Sequence, residues 1–192
     1  MKLTQFLYLP NQLTLLRLVF LPLIVLSLLA GHNGWALGLF VAAGVTDFFD
    51  GQLARRLHQA TTLGEYLDPI ADKMLLSTMF LVLSVLHRIP WKFTVVVFGR
   101  DISILVVSAV LYVTTSLRDF RPSVFGKANT TSQVLAVFFV LLLPVRGAEW
   151  VYIARFLALW ATFVFTIVSG VHYAFLGAHR LHAAQQGSRA AG

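Results

Sequence analysis

Residues 47–72 read DFFDGQLARRLHQATTLGEYLDPIAD, and they hold five of the eight acidic residues of the 192-residue chain. Apolar runs flank them, Trp35–Val45 before and Met74–Leu86 after. A carboxylate set into a membrane-crossing segment costs on the order of 2.5–3.5 kcal/mol, so four aspartates in one place point to a function. Asp47 and Asp50 are three apart and Asp68 and Asp72 four apart. On helices each pair shares a face, and a short connection lets the two faces meet. Asp68 before Pro69 has the form of a helix N-cap followed by the first helical residue, which predicts that the second of the two helices begins there.

Outward from this stretch the chain is dominated by apolar sequence: 58% of residues are hydrophobic and 12% charged. An average soluble domain carries about 25% charged residues, so the solvent expected here is lipid. A helix needs roughly 20 apolar residues to cross the hydrocarbon core. Six spans are predicted, at about 12–30, 35–57, 67–86, 91–117, 128–145 and 150–176, bounded by Gly, Pro and Trp residues. The expected architecture is an all-α membrane protein with six transmembrane helices in one domain, residues 1–192. Residues 1–11 are expected to form a short interfacial lead-in, and residues 178–192 a flexible tail.

The first apolar stretch contains Arg17 and Pro22 and is longer than a usual signal core, so it is read as a retained helix. Basic residues outside the spans favour one side: Lys2, Arg55, Arg56, Arg118, Arg121, Lys127, Arg180 and Arg189, against Arg88, Lys92 and Arg146 on the other. This asymmetry puts both termini and the acidic stretch in the cytoplasm. The net charge of +7 is scattered singly along the chain, which argues against a nucleic-acid partner. Cysteine is absent, and with it disulfides, thiolate metal sites and cysteine nucleophiles.

Four converging carboxylates cannot all stay ionised without cations. Hard divalent ions with oxygen ligands, Mg²⁺ or Mn²⁺, suit Asp47, Asp50, Asp68 and Asp72, and two ions could share them. Gly51, Ala54 and Gly64 leave open surface beside the acids and Arg55 supplies a cation, the features that a pocket for a base and a diphosphate needs. Membrane carboxylates also mark ion pathways, so a divalent-metal or proton-coupled transporter is the rival class. Such a site is expected near the midplane, whereas these acids are read at the cytoplasmic ends of two helices.

The run Asp47-x-x-Asp50-Gly51-x-x-Ala54-Arg55, eight further residues, then Gly64-x-x-x-Asp68-x-x-x-Asp72 resembles the complete signature of the CDP-alcohol phosphotransferase family at all eight defining positions. Residues 10–17, with Asn11, Thr14 and Arg17, and residues 126–133 are similar to phosphatidylglycerophosphate synthases and single-motif cardiolipin synthases. The resemblance implies transfer of a phosphatidyl group from CDP-diacylglycerol to a phosphate-bearing alcohol with release of CMP, in the bacterial inner membrane, by an enzyme that is usually a homodimer. It implies that the four aspartates hold two ions and that Asp72 accepts the acceptor's proton. Gly51, Ala54, Arg55 and Gly64, with Asn11 and Thr14, would line the CDP pocket; Arg17 is a weaker candidate.

Arg100, Arg121 and Lys127 are the candidate cations for the acceptor. Arg100-Asp101 departs from the Arg-Glu common in phosphatidylglycerophosphate synthases, which leaves the acceptor open between glycerol 3-phosphate, the leading reading, and phosphatidylglycerol, the alternative. Lys73 is expected to balance the acidic cluster or contact lipid phosphates.

Overall fold

The computed structural model describes the backbone of residues 9–57, 62–114 and 124–190, and side chains within 16–46, 73–106 and 125–173. The described residues form six α-helices and no strand: α1 Leu9–Leu29, α2 Asn33–Leu57, α3 Thr62–Val85, α4 Trp91–Thr114, α5 Val124–Arg146 and α6 Glu149–Ala190. Each predicted span has its helix. Two of them are long and apolar enough to cross a membrane by length and composition among the described residues, Phe125–Arg146 and Glu149–Tyr173.

Three connections are tight, and each is made by a residue in the left-handed region. Gly31 (φ 77°) ends α1, donating to Leu28 O while His32 donates to Ser27 O. His87 (φ 55°) ends α3 in the same way, donating to Ser84 O while Arg88 donates to Leu83 O. These are Schellman caps. Gly147 (φ 57°) ends α5 with a single bond to Leu143 O. Such short turns force the joined helices antiparallel, and all three turns lie at one end of the bundle.

Two expectations about boundaries change. Helix α3 begins at Thr62, so Asp68 and Pro69 are interior residues and not a cap. Thr62 with Glu65 three residues on has the spacing of a capping box, a start signal lying earlier in the chain. Pro69 has no N–H to offer the carbonyl of Glu65, a loss an apolar helix tolerates when neighbours compensate. The acids therefore lie well inside two helices and not at their tips. At the other terminus α6 is helical through residues 178–190, the stretch expected as a tail. The lead-in of residues 1–8 lies outside the described residues, and α1 already includes residues 9–11.

Packing joins α1 to α2 and α3, α5 to α6, α2 and α3, and α4 to α6 and α3. Ile24, Leu28, Phe40, Met79, Phe80, Leu83, Val97, Val137 and Leu141 fill the centre. Polar residues are buried among them: Ser84, Thr94, Asn129, Ser132, Gln133, Thr162, Thr166 and Ser169. Thr94 pairs with Ser84 and donates to Phe80 O, tying α4 to α3. The outer surface is apolar, with Leu26, Trp35, Val95, Leu105, Ile153 and Val171 all more than half exposed. Hydroxyls and amides inside with large aliphatic residues outside is the arrangement of helices associating in lipid, where burial of apolar groups gains nothing and interhelical hydrogen bonds hold the contacts.

Candidate active site

Helix α2 carries Asp47, Asp50, Gly51, Ala54 and Arg55 on one continuous helical stretch, and α3 carries Gly64, Asp68 and Asp72 on another. Their side chains lie outside the described residues, as do those of Asn11 and Thr14 on α1, and Arg121 lies outside altogether. The unbroken backbone fixes the spacing that the motif needs: residues three and four apart on a helix share a face. Immediately before Asp47, the Thr46 hydroxyl donates to Ala42 O at 3.0 Å and Ala43 O at 2.8 Å, so it is satisfied within its own helix.

The two helices wall a common cavity of about 80 Å³, lined by Phe40, Ala43 and Gly44 of α2, Leu75 and Leu76 of α3, Arg17 of α1 and Thr130 and Val134 of α5. Gly44 precedes Asp47 by one turn and Leu75 follows Asp72 by one turn, so the cavity lies one turn along each helix from the nearer aspartate position. A Cβ on Gly44 would meet nothing within 4 Å. Arg17, only 2% exposed, brings a permanent positive charge to this floor. A snorkelling arginine would reach outward to the interface; this one is enclosed.

Helix α5 contributes donors to which the sequence reading gave no individual role. Asn129 is fully buried and accepts from Thr166 Oγ1 of α6 at 2.7 Å, while its Nδ2 has no partner among the described residues. Gln133, one turn on and 5% exposed, also has an unpartnered Nε2. An unmet buried donor costs about 1–3 kcal/mol, a reason to expect a ligand to complete these two. Their sequence signal was available: a run of polar residues, 129–133, within an otherwise apolar helix.

On the other flank, Asp101 binds two cations through one oxygen, Lys73 Nζ at 2.9 Å and Arg100 Nη1 at 2.7 Å. Arg100 Nη2 donates to Ser169 Oγ at 2.9 Å, and its guanidinium lies 5.8 Å from the Tyr173 ring centroid. Lys73, the residue after Asp72, thus points its charge to α4, where the expectation had set it against the acidic cluster or lipid phosphates. Arg100 is nine-tenths buried and is held between α4 and α6, with Nε as its one unpartnered nitrogen. Lys127 is exposed near the start of α5.

An all-helical bundle with buried hydroxyls and amides in an apolar core, and eight motif residues on two consecutive helices, suits a lipid-modifying phosphotransferase. Residues 7–168 match the model of the family described as CDP-alcohol phosphatidyltransferase. The chain belongs to that family. It is an enzyme of phospholipid biosynthesis whose substrate types are CDP-diacylglycerol and an alcohol.

A probable phosphatidylglycerophosphate synthase of Mycobacterium tuberculosis is 36% identical over 174 residues, covering 86% of this chain and 79% of its own. The CDP-diacylglycerol--glycerol-3-phosphate 3-phosphatidyltransferase of Bacillus subtilis is 32% identical over 183 residues, covering 86% and 92%. A putative cardiolipin synthase of M. tuberculosis is 31% identical over 177 residues, covering 92% and 81%. The family generally uses divalent metals. Four carboxylates at spacings of three and four on unbroken helices fit that requirement, with no cysteine thiolate in competition.

Proposed function

We propose that the chain transfers the phosphatidyl group of CDP-diacylglycerol to glycerol 3-phosphate, releasing CMP. The observation that carries this reading is the meeting of two things: the full eight-residue motif on helices α2 and α3, which share a cavity, and extended similarity to bacterial proteins named for this reaction. The acceptor hydroxyl oxygen forms a bond to the phosphorus bearing diacylglycerol. The bond from that phosphorus to the CMP oxygen breaks, and its electron pair leaves with CMP. Asp72 takes the hydroxyl proton. Two Mg²⁺ or Mn²⁺ ions, when bound by Asp47, Asp50, Asp68 and Asp72, supply neutralisation of the diphosphate charge.

Gly51, Ala54 and Gly64 admit the nucleotide to the backbone, with Arg55 as a cation for its phosphates and Asn11 and Thr14 approaching from α1. Arg17 supports the same pocket from its floor. Arg100, Arg121 and Lys127 are assigned to the acceptor phosphate; Arg100 enters that role with only Nε uncommitted. The enclosure of Arg100 and the similarity to putative cardiolipin synthases favour a second reading, in which phosphatidylglycerol is the acceptor.

The setting proposed is a bacterial inner membrane crossed six times by each protomer of a homodimer, with both termini and the active site facing the cytoplasm. The excess of basic residues on that side supports it. Incubating the purified protein with CDP-diacylglycerol, Mg²⁺ or Mn²⁺ and each acceptor in turn, with mass spectrometry of the lipid product, tests the assignment. Phosphatidylglycerophosphate is expected. Cardiolipin would transfer the assignment to the second reading, and metal uptake into liposomes without CMP release would replace both with a transporter.

A further inference from the structure

At the end of the bundle away from the aspartates, Pro90, Lys92 and Phe93 of the α4 start and Tyr152, Arg155, Phe156, Leu159 and Trp160 of α6 enclose a cavity of about 340 Å³. Helix α6 begins further out than α4: Phe93 packs edge-on against Trp160 and Phe163, more than two turns into α6. The first turns of α6 therefore overhang the N-terminus of α4, and the cavity occupies the step. Its chemistry is one-sided. Lys92 Nζ sits 4.8 Å from the Trp160 ring centroid and 5.2 Å from that of Phe93, and Arg155 of α6 also lines the cavity. No acidic residue lines the cavity, and neither cation has an ion-pair partner among the described residues. The first turn of α4 contains no acidic residue either, so the positive end of its dipole is not offset there, although the Phe93 N–H is already taken by Pro90 O. Below the cations the surface is aromatic and aliphatic: Phe156 is 60% exposed and Val164 53%.

We infer that this step is a binding site for an anionic phospholipid, separate from the catalytic site. Lys92 and Arg155 hold a headgroup of net negative charge, which no choline cation offsets, and an acyl chain lies down α6 along Phe156, Trp160 and Val164. Two unpaired cations at one polar end of an otherwise apolar groove complement a molecule with a phosphate at one end and a hydrocarbon at the other. The inference rests on the membrane setting and not on the identity of the acceptor.

The test is native mass spectrometry of the purified protein offered equal amounts of phosphatidylserine and phosphatidylcholine of matched chain length. Phosphatidylserine is neither substrate nor product of the proposed reaction, so its retention does not report on the catalytic site. The wild type is expected to retain phosphatidylserine in preference by about tenfold, the scale of one charge-assisted hydrogen bond. Lys92→Gln with Arg155→Gln should lose the preference, while Lys92→Arg with Arg155→Lys keeps it and CMP release stays near wild type in both. Photoactivatable phosphatidylserine on the wild type should cross-link within residues 90–93 or 152–160, a readout that needs no variant. Equal retention of the two lipids, a preference that survives the glutamine pair, or cross-links confined elsewhere would overturn the site. Displacement of the lipid by excess inorganic phosphate would overturn its assignment to a lipid.

Discussion

Asp72 and Asp101 are both carboxylates near Lys73, yet the roles read for them differ, and substitution separates them. In the proposed mechanism Asp72→Asn keeps the shape and removes the proton acceptor. CMP release should fall by roughly 10²–10⁴-fold, the usual contribution of a positioned base, while CDP-diacylglycerol still binds. Radiolabel release and lipid-binding measurements on the same preparation check it, and near-normal release would end the assignment. Chelation of divalent ions should abolish release in the wild type, with Mg²⁺ or Mn²⁺ restoring it; activity that survives chelation would remove the metals from the scheme.

Asp101→Asn acts through folding. It takes the counter-charge from Arg100, whose side chain is 10% exposed, and from Lys73, which at 43% exposed can turn to solvent. Breaking a buried pair from one side costs about 3–5 kcal/mol; relaxation of Lys73 and the retained Ser169 bond bring the expected loss to about 2 kcal/mol. A fall in thermal midpoint of the detergent-solubilised protein measures it, and an unchanged midpoint would show that the pair carries no net stability.

Elements differ in how openly the sequence announced them. The six helices were legible because apolar length is a strong signal, and the ends at Gly31 and Gly147 were marked by glycine. The end of α3 was not, because His87 occupies a left-handed position that side chains avoid. His87→Gly should therefore stabilise the protein by about 1 kcal/mol, read as a higher unfolding midpoint; destabilisation would mean that the imidazole makes a compensating contact. The start of α3 was misplaced because Asp68-Pro69 and Thr62-x-x-Glu65 are both plausible starts, and local sequence does not rank them. Within the candidate site the aspartate motif was plain from spacing alone. The enclosure of Arg17 and the open donors of Asn129 and Gln133 were not, since they depend on which face α1 and α5 turn inward.

At the scale of the whole molecule, the proposed orientation makes the three tight turns periplasmic and the acidic stretch cytoplasmic. The chain has no cysteine, so single cysteines can be introduced into an unreactive background. A cysteine at Arg88 or Ala148 should react with a membrane-impermeant maleimide in intact cells, and one at Gln59 only after the inner membrane is opened. The reverse pattern would invert the orientation, and labelling of all three in intact cells would contradict the crossings between them.

Helix α6 has 42 residues, a contour of about 63 Å at 1.5 Å per residue, whereas the hydrocarbon core spans about 30 Å. In the proposed membrane setting, roughly half of it lies in water or among headgroups. The composition changes accordingly near Gly177: Leu, Phe, Val and Trp dominate before it, and Ala, Gln, His and Arg after it. One continuous rod is thus solvated by two media, and its far segment works as a spacer. A reporter or affinity handle joined beyond Ala190 would stand clear of the bilayer, at a distance set by helical geometry.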